Sequence, residues 1–228
     1  MSLKVGYITG FIVVKSLPDY DSYLCKLLDS QFLAQLPKKW ARKEYKIGES
    51  DWAAVFDMVG ARITLSQKSP QYVRKILEYL LMPACAELNL KIKRTAWVTG
   101  YSFHKVAVQP QNGDVGSSRE LMAVIKPYIE KINIKDYISE NISFVRYSHD
   151  LKAFVVNALC PPGHEDKIYK VIHHVEMNQV DVMADASAIP AILGINGRNI
   201  VLAQKLCKCD IAVKPLSISV FDKFKEKY

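Results

Sequence analysis

From residue 66 onward the chain runs twice through one succession of elements: helix, strand, strand, helix, helix, strand. A doubled order of this kind restricts the fold more than any single motif does. In the first copy Ser69 is a plausible N-cap with Pro70 at the first helical position, and Val73, Ile76, Leu77, Leu80 and Leu81 recur at helical spacing. Pro83 ends or kinks that helix and 84–88 resumes it. Strands follow at 90–98 and 101–109, joined through Thr99-Gly100, and Asn112-Gly113-Asp114 is a turn. The stretch 119–132 is helical in composition but holds Pro127, which predicts two short helices, and Ile142-Ser143-Phe144-Val145-Arg146 is the closing strand. The second copy opens with an Asp150-capped helix over 150–159, stopped by Pro161-Pro162. Strands at 167–176 and 179–184, helices at 187–193 and 198–206, and a strand at 210–214 complete it. The two copies share little residue identity, so the repeat is one of architecture.

Between the last two helices stands Gly194-Ile195-Asn196-Gly197. Glycine serves where the backbone takes positive φ or must let a partner come close. A helix that starts right after such a turn points unpaired N–H groups, and the positive end of its dipole, at whatever lies there. A Gly-x-x-Gly turn clamping a nucleic-acid backbone is what a KH domain uses. A plain helix–helix turn would read the same in isolation, so the doubled order supplies the context. The other Gly-x-x-Gly, Gly113-Asp114-Val115-Gly116, follows a strand rather than a helix.

Residues 3–65 read differently. Apolar, β-branched stretches at 5–14, 23–28, 31–37, 51–58 and 61–65 are separated by turns such as Leu17-Pro18-Asp19-Tyr20-Asp21 and by a Lys/Arg-rich loop over 38–49. Five short strands at this spacing predict a small closed barrel of the OB type. Such barrels bind single strands by stacking bases on aromatics beside a basic groove. Tyr23, Phe32, Trp40 and Tyr45, interleaved with Lys26, Arg42 and Lys43, are the candidates, with core packing the alternative for each ring.

The chain of 228 residues carries 31 Lys and Arg against 23 Asp and Glu, a net charge of +8, and the excess is largest in 67–147. Nucleic acid is a natural partner for that balance, and a solvated basic surface is the alternative. No apolar run reaches membrane-spanning length, and Met1-Ser2-Leu3-Lys4-Val5-Gly6 is no signal peptide. Five scattered cysteines read as reduced thiols of a cytoplasmic protein. Cys207-Lys208-Cys209 has no second pair to complete four zinc ligands, and His173 and His174 point to opposite faces of a strand. His104, His149 and His164 have no visible nucleophile beside them, and there is no phosphate loop of the GxxxxGK[ST] kind. The expectation is a protein without catalysis, metal or cofactor.

Several stretches together carry a family likeness: Gly60-Ala61-Arg62-Ile63-Thr64-Leu65-Ser66 with Pro70; Gly100-Tyr101 with Lys105-Val106-Ala107-Val108; Asp114-Val115-Gly116; Phe154-Val155-Val156-Asn157-Ala158-Leu159 with Pro161; and Leu193-Gly194 to Gly197-Arg198-Asn199-Ile200 with Leu202-Ala203 and Leu206. In order and spacing they resemble the RNA-binding core of the NusA family of bacterial transcription elongation and termination factors, over nearly the whole chain. The resemblance implies a multidomain chain: an all-β OB-fold barrel at 1–66, then two α+β type II KH domains at 67–147 and 148–228; the short joints at 65–69 and 147–150, not rich in Gly or Ser, predict one fixed, elongated unit. It also implies single-stranded RNA as ligand and RNA polymerase and other transcription factors as partners. RNA would be held at Gly194, Ile195, Asn196, Gly197, Arg198, Asn199 and Lys205, with the barrel adding Tyr23, Lys26, Phe32, Arg42 and Lys43. Three departures stand out. Where the family's first KH domain has its own Gly-x-x-Gly, this chain has Glu120-Leu121-Met122-Ala123, which predicts a degenerate clamp serving as scaffold. Ile195 stands where the family carries Lys, leaving Arg198 and Lys205 to supply charge. The polymerase-binding domain that precedes the barrel in the family is missing from this sequence. Rival expectations are a protein-interaction scaffold that has lost RNA affinity, and an RNA-binding protein tied to ribosomes or RNA processing.

Overall fold

A computed structural model describes residues 3–98, 100–111, 116–161 and 164–216. The turn expected at 112–114, most of the second Gly-x-x-Gly and the residues beyond 216 lie outside them. Strands β1 (Ile8–Leu17), β2 (Ser22–Leu27), β3 (Leu33–Pro37), β4 (Ser50–Val59) and β5 (Arg62–Ser66) close into a barrel in the order β1-β2-β3-β5-β4. Side chains alternate across each strand, so Phe11 and Val13, Tyr23, Cys25 and Leu27, Ala34 and Leu36, and Ile63 and Leu65 fill the interior. Register shifts at Val13/Lys15 and Val55/Asp57 bend the two long strands toward closure. The first strand begins at Ile8 rather than at residue 5. Gly6 takes φ +85 there, and its N–H bonds the Val55 carbonyl at 2.7 Å.

Helix α1 (Pro70–Leu80) starts as expected, with the Ser69 side chain accepting from the Tyr72 N–H. Pro83 sits in the first turn of a new helix, α2 (Met82–Glu87). The first sheet holds β6 (Leu90–Ala96), β7 (Phe103–Pro110) and β8 (Asn141–Arg146) in that order, with β6 antiparallel and β8 parallel to β7. Helix α3 (Ser118–Lys131) lies between β7 and β8 in the chain. After α4 (Leu151–Leu159), whose Asp150 cap accepts from Lys152 and Ala153 N–H, come β9 (Ile168–His174) and β10 (Gln179–Ala184). Helices α5 (Ile189–Leu193) and α6 (Arg198–Cys207) and strand β11 (Asp210–Pro215) follow. The second sheet repeats the first: β9 antiparallel and β11 parallel to the central β10.

One expectation fails here. Pro127 does not divide its segment, because α3 runs through it as a single helix. Pro127 removes one N–H from the ladder, and the carbonyl left without it belongs to Ala123. Both residues are exposed, so water can take that carbonyl and the break is avoided.

The two α/β units share a core. One face of the first sheet packs Val106 and Val108 against Leu77, Leu121 and Ile125. The other face presents Ala96, Ala107 and Val145 to Phe154, Ala158, Leu202, Ala203 and Leu206 of the second unit. The alanines let α4 and α6 approach closely, and two cations hold them there. Arg94 Nη1 donates to the Leu206 and Cys207 carbonyls at 3.2 and 3.1 Å, and Lys105 Nζ donates to the Ala158 carbonyl at 2.6 Å. Each satisfies carbonyls that a helix C-terminus leaves open. Burial pushes the Lys105 ammonium down to about 8.

The joint with the barrel is polar. Lys68 pairs with Glu140 at 3.2 Å, and His104, fully buried and stacked on Trp97, lies 3.8 Å from the same carboxylate. Burial opposes the charge on Glu140. His104, the Lys68 ammonium and the Ser139 hydroxyl at 2.9 Å outweigh it and hold the carboxyl down at about 2. A depressed carboxyl contributes stability above its unfolded value near 4.5, and that stability is lost as pH falls toward 2. Glu140→Gln is therefore expected to cost about 1–3 kcal/mol at pH 7 and to flatten the acid limb below pH 4.5. Urea midpoints measured across a pH series check this.

Candidate nucleic-acid interface

Helix α5 ends at Leu193, and the chain turns through left-handed backbone at Gly194 (φ +73), Asn196 (φ +53) and Gly197 (φ +69) before α6 starts. The turn is closed by Gly194 N–H to the Pro190 carbonyl at 2.9 Å and by Gly197 N–H to the Gly194 carbonyl at 3.0 Å. Glycine at 194 is required for space as well as for φ, since a Cβ there would lie 2.7 Å from the Asn199 Cβ. Ile195 stands at the tip, 82% exposed. No side chain caps the N-terminus of α6: the Arg198 N–H bonds the Ile195 carbonyl, and the Asn199 and Ile200 amides that follow have no side-chain partner among the described residues.

The other residues proposed around this turn divide into three roles. Asn199 is a brace: its Nδ2 donates to the Leu159 carbonyl at 2.8 Å and the Ile192 carbonyl at 2.7 Å, so its amide N–H groups are engaged inside the protein. The Arg198 guanidinium lies over the Tyr101 ring, 5.3 Å from its centroid, which aims it along the face of the first unit. Lys205 is exposed and shares with Val201, Lys208 and Asn178 an open hollow of about 390 Å³ along α6. Positions 201 and 205 fall on one side of that helix, and Lys208 follows its end.

The first unit has no such turn. Glu120–Ala123 lies within α3, and Leu121 is buried in the core. Ser117 and Glu120 form a capping box: Ser117 Oγ accepts from the Glu120 N–H at 3.1 Å, and Glu120 Oε2 accepts from Gly116 and Ser117 N–H at 2.6 and 3.1 Å. The carboxylate occupies the amides that an anion would otherwise use. The expected degenerate turn is thus the start of a continuous, self-capped helix.

On the barrel the five proposed residues do not converge. Tyr23 is a correction: it is 4% exposed and packs edge-on against Tyr45, because odd positions of β2 point inward, and so it has no face for a base. Tyr45 is buried with it. Arg42 is tied to Asp51 at 2.8 and 2.7 Å, in a network that runs through the Tyr45 hydroxyl to Gln67 at the barrel's exit. Lys43 faces Glu49 at 3.4 Å. Lys26 and Phe32 are exposed at the hairpin end of β2 and β3, the opposite end from Arg42, as the pairs Lys26↔Leu33 and Ser22↔Pro37 show. What the barrel does present is a groove of about 440 Å³ lined by Tyr20, Gln35, Lys39, Trp40, Asp57 and Arg62 among others. Only Trp40 of these was among the sequence candidates. Tyr20 was legible as an aromatic in a polar turn, and it is 72% exposed. Cys207 and Cys209 are buried, and burial pushes the Cys207 thiol up to about 12. No helix among the described residues is long and apolar enough to cross a membrane.

Fold and site together define a closed five-stranded barrel joined to two like α/β units, with one open glycine turn among the described residues. No family model matches the chain. Among curated proteins it is similar to the transcription termination/antitermination protein NusA of Borreliella burgdorferi, 26% identical over 188 residues that cover 80% of this chain and 38% of that protein. It is also similar to NusA of Rickettsia conorii, 28% identical over 160 residues, 68% of this chain and 30% of that protein. The chain thus spans less than two-fifths of the length of these relatives. Among solved structures, the crystal structure of APE1850 is 18% identical with a TM-score of 0.42, covering 64% of this chain and 97% of that one.

The geometry of the turn separates its two glycines. Gly194→Ala is expected to cost about 1–3 kcal/mol, from positive φ and the Asn199 contact together. Gly197→Ala is expected to cost less, about 1 kcal/mol, because its nearest neighbour would be 3.9 Å away. Urea unfolding of the two variants checks the order.

Proposed function

We propose that this protein is a single-stranded-RNA-binding factor that acts on transcription elongation, pausing, termination or antitermination. The reading takes the chain as three modules, an OB-type barrel at 1–66 and two KH domains at 67–147 and 148–228, working in the cytoplasm without a cofactor. The observation that carries it is the open turn at Gly194–Gly197, set before a helix whose N-terminal amides no side chain caps. A phosphate seated on those amides would complete the helix end, and the positive end of the dipole favours it. The flanking nucleotides would then lie along Val201, Lys205 and Lys208. The low-identity likeness to NusA proteins supports transcription as the setting. Contact with RNA polymerase or other transcription factors is part of the proposal, and co-purification of polymerase with the tagged chain tests it.

Replacing both Ile195 and Asn196 by Asp puts two carboxylates where phosphate would lie. Fluorescence-polarisation titration against single-stranded RNA is expected to show at least tenfold weaker binding at an unchanged melting temperature. A strand held by about three phosphate contacts also gives a log–log salt slope near −2 for the wild type. Wild-type affinity in the double variant would remove the clamp.

A second reading, a protein-interaction scaffold, is favoured by one observation: Glu120 caps its own helix, so the first unit offers no anion its α3 amides. No RNA binding at low salt would leave that reading in place.

A further inference from the structure

We infer that the barrel groove takes a guanine base of single-stranded RNA, with Tyr20 as the stacking face and Arg62 and Asp57 reading the two edges of the base. This rests on the RNA-binding reading above and adds a base preference to it.

The groove combines one free aromatic face with a fixed donor and a fixed acceptor. The Tyr20 ring is the exposed plate. Trp40 packs its ring on Phe56 at 4.5 Å and lies under the Lys39 ammonium at 5.3 Å, so it forms the wall. Arg62 is held by a chain of hydrogen bonds rather than by a counter-charge. Its Nη2 donates to Gln35 Oε1 at 3.0 Å, Gln35 Nε2 donates to Ser22 Oγ at 2.8 Å, and Ser22 Oγ donates to the Tyr20 carbonyl at 2.5 Å. That chain links the guanidinium to the turn that carries the aromatic plate. It uses one of five N–H donors and leaves a forked pair available.

Asp57 stands on the neighbouring strand. It pairs in register with Thr64 and Val59 pairs with Arg62, so Asp57 and Arg62 are diagonal neighbours on one side of the β4–β5 ladder. Among the described residues no ion pair within 4.0 Å joins them, and the one hydrogen bond of the Asp57 carboxylate is the one Oδ1 accepts from the Met58 N–H at 2.8 Å. A donor fork and a carboxylate that lie side by side without neutralising each other suit a ligand with two adjacent acceptors and two adjacent donors. Guanine is the base with that pattern: N7 and O6 accept from a forked arginine, and N1–H and the N2 amine donate to a carboxylate. Adenine turns a donor, its N6 amine, toward the arginine. Lys39 on the rim is placed for the adjoining phosphate.

The test uses the full chain and fluorescein-labelled twelve-residue oligouridines with one central guanine or one central adenine, titrated by fluorescence polarisation at fixed salt. The guanine oligomer is expected to bind about tenfold tighter. Substituting 7-deazaguanine, which loses N7 but keeps O6, should lower that ratio through Arg62, and inosine, which lacks the N2 amine but keeps N1–H, should lower it through Asp57. Arg62→Met and Asp57→Asn should each lower the guanine-to-adenine ratio while leaving the adenine oligomer's affinity within about twofold. A merely structural role would move both oligomers together. Equal affinities for guanine and adenine overturn the base preference alone. Absence of binding to either oligomer overturns the RNA reading and the preference with it. The analogue arm uses the unmodified protein, so it decides the matter even if a variant fails to fold.

Discussion

Helix α6 is the shared beam of the two α/β units, and its fixation by Arg94 is the interaction on which the rest depends. The guanidinium comes from the first sheet and takes the Leu206 and Cys207 carbonyls at the C-terminus of α6. A cation at that end complements the helix dipole as well as the open carbonyls. Lys105, two registers away on the neighbouring strand, does the same for α4. With the C-terminal end of α6 fixed against one sheet, its N-terminal end is carried outward to the glycine turn. The turn is then located by the first unit as much as by the second. Asn199 completes the arrangement by tying the start of α6 to the ends of α4 and α5. The site is thus rigid at its base and open at its tip.

The two units use the same topology to opposite ends. In the second, α6 begins behind two glycines with no side-chain cap. In the first, Ser117 and Glu120 cap α3 reciprocally, and the carboxylate takes the place of an external anion. One fold therefore yields an open helix end and a closed one, and the difference lies in a handful of side chains.

Much of the fold was legible in the residues. Alternation at Phe11 and Val13 or Tyr23, Cys25 and Leu27 marks barrel strands, and Ser69-Pro70 and Asp150 mark helix starts that the structure bears out. The parity that identifies a strand also decides which way each side chain points. Applied to β2, it would have sent Tyr23 inward and left Tyr20, in the preceding turn, as the exposed ring. Pro127 misled because its effect depends on whether Ala123 is solvated, a tertiary fact. Glu120 was read as part of a degenerate turn and not as a cap, because the capping box with Ser117 depends on where the helix begins. Arg42 and Asn199 looked like ligand contacts, and their partners, Asp51 and the Leu159 carbonyl, are distant in sequence for Asn199 and hidden by a loop for Arg42. Lys105 and Arg94 gave no local signal, since their partners lie 53 and 112 residues away.

The central claim is that the two helix ends behave differently toward a nucleic-acid backbone. Hydrogen–deuterium exchange of the full chain, with and without saturating single-stranded RNA, measures it most directly. The account predicts that RNA slows exchange at the amides of Asn199 and Ile200 and leaves those at the start of α3 unchanged. Protection at α3 with none at α6, or no protection at either, would contradict it.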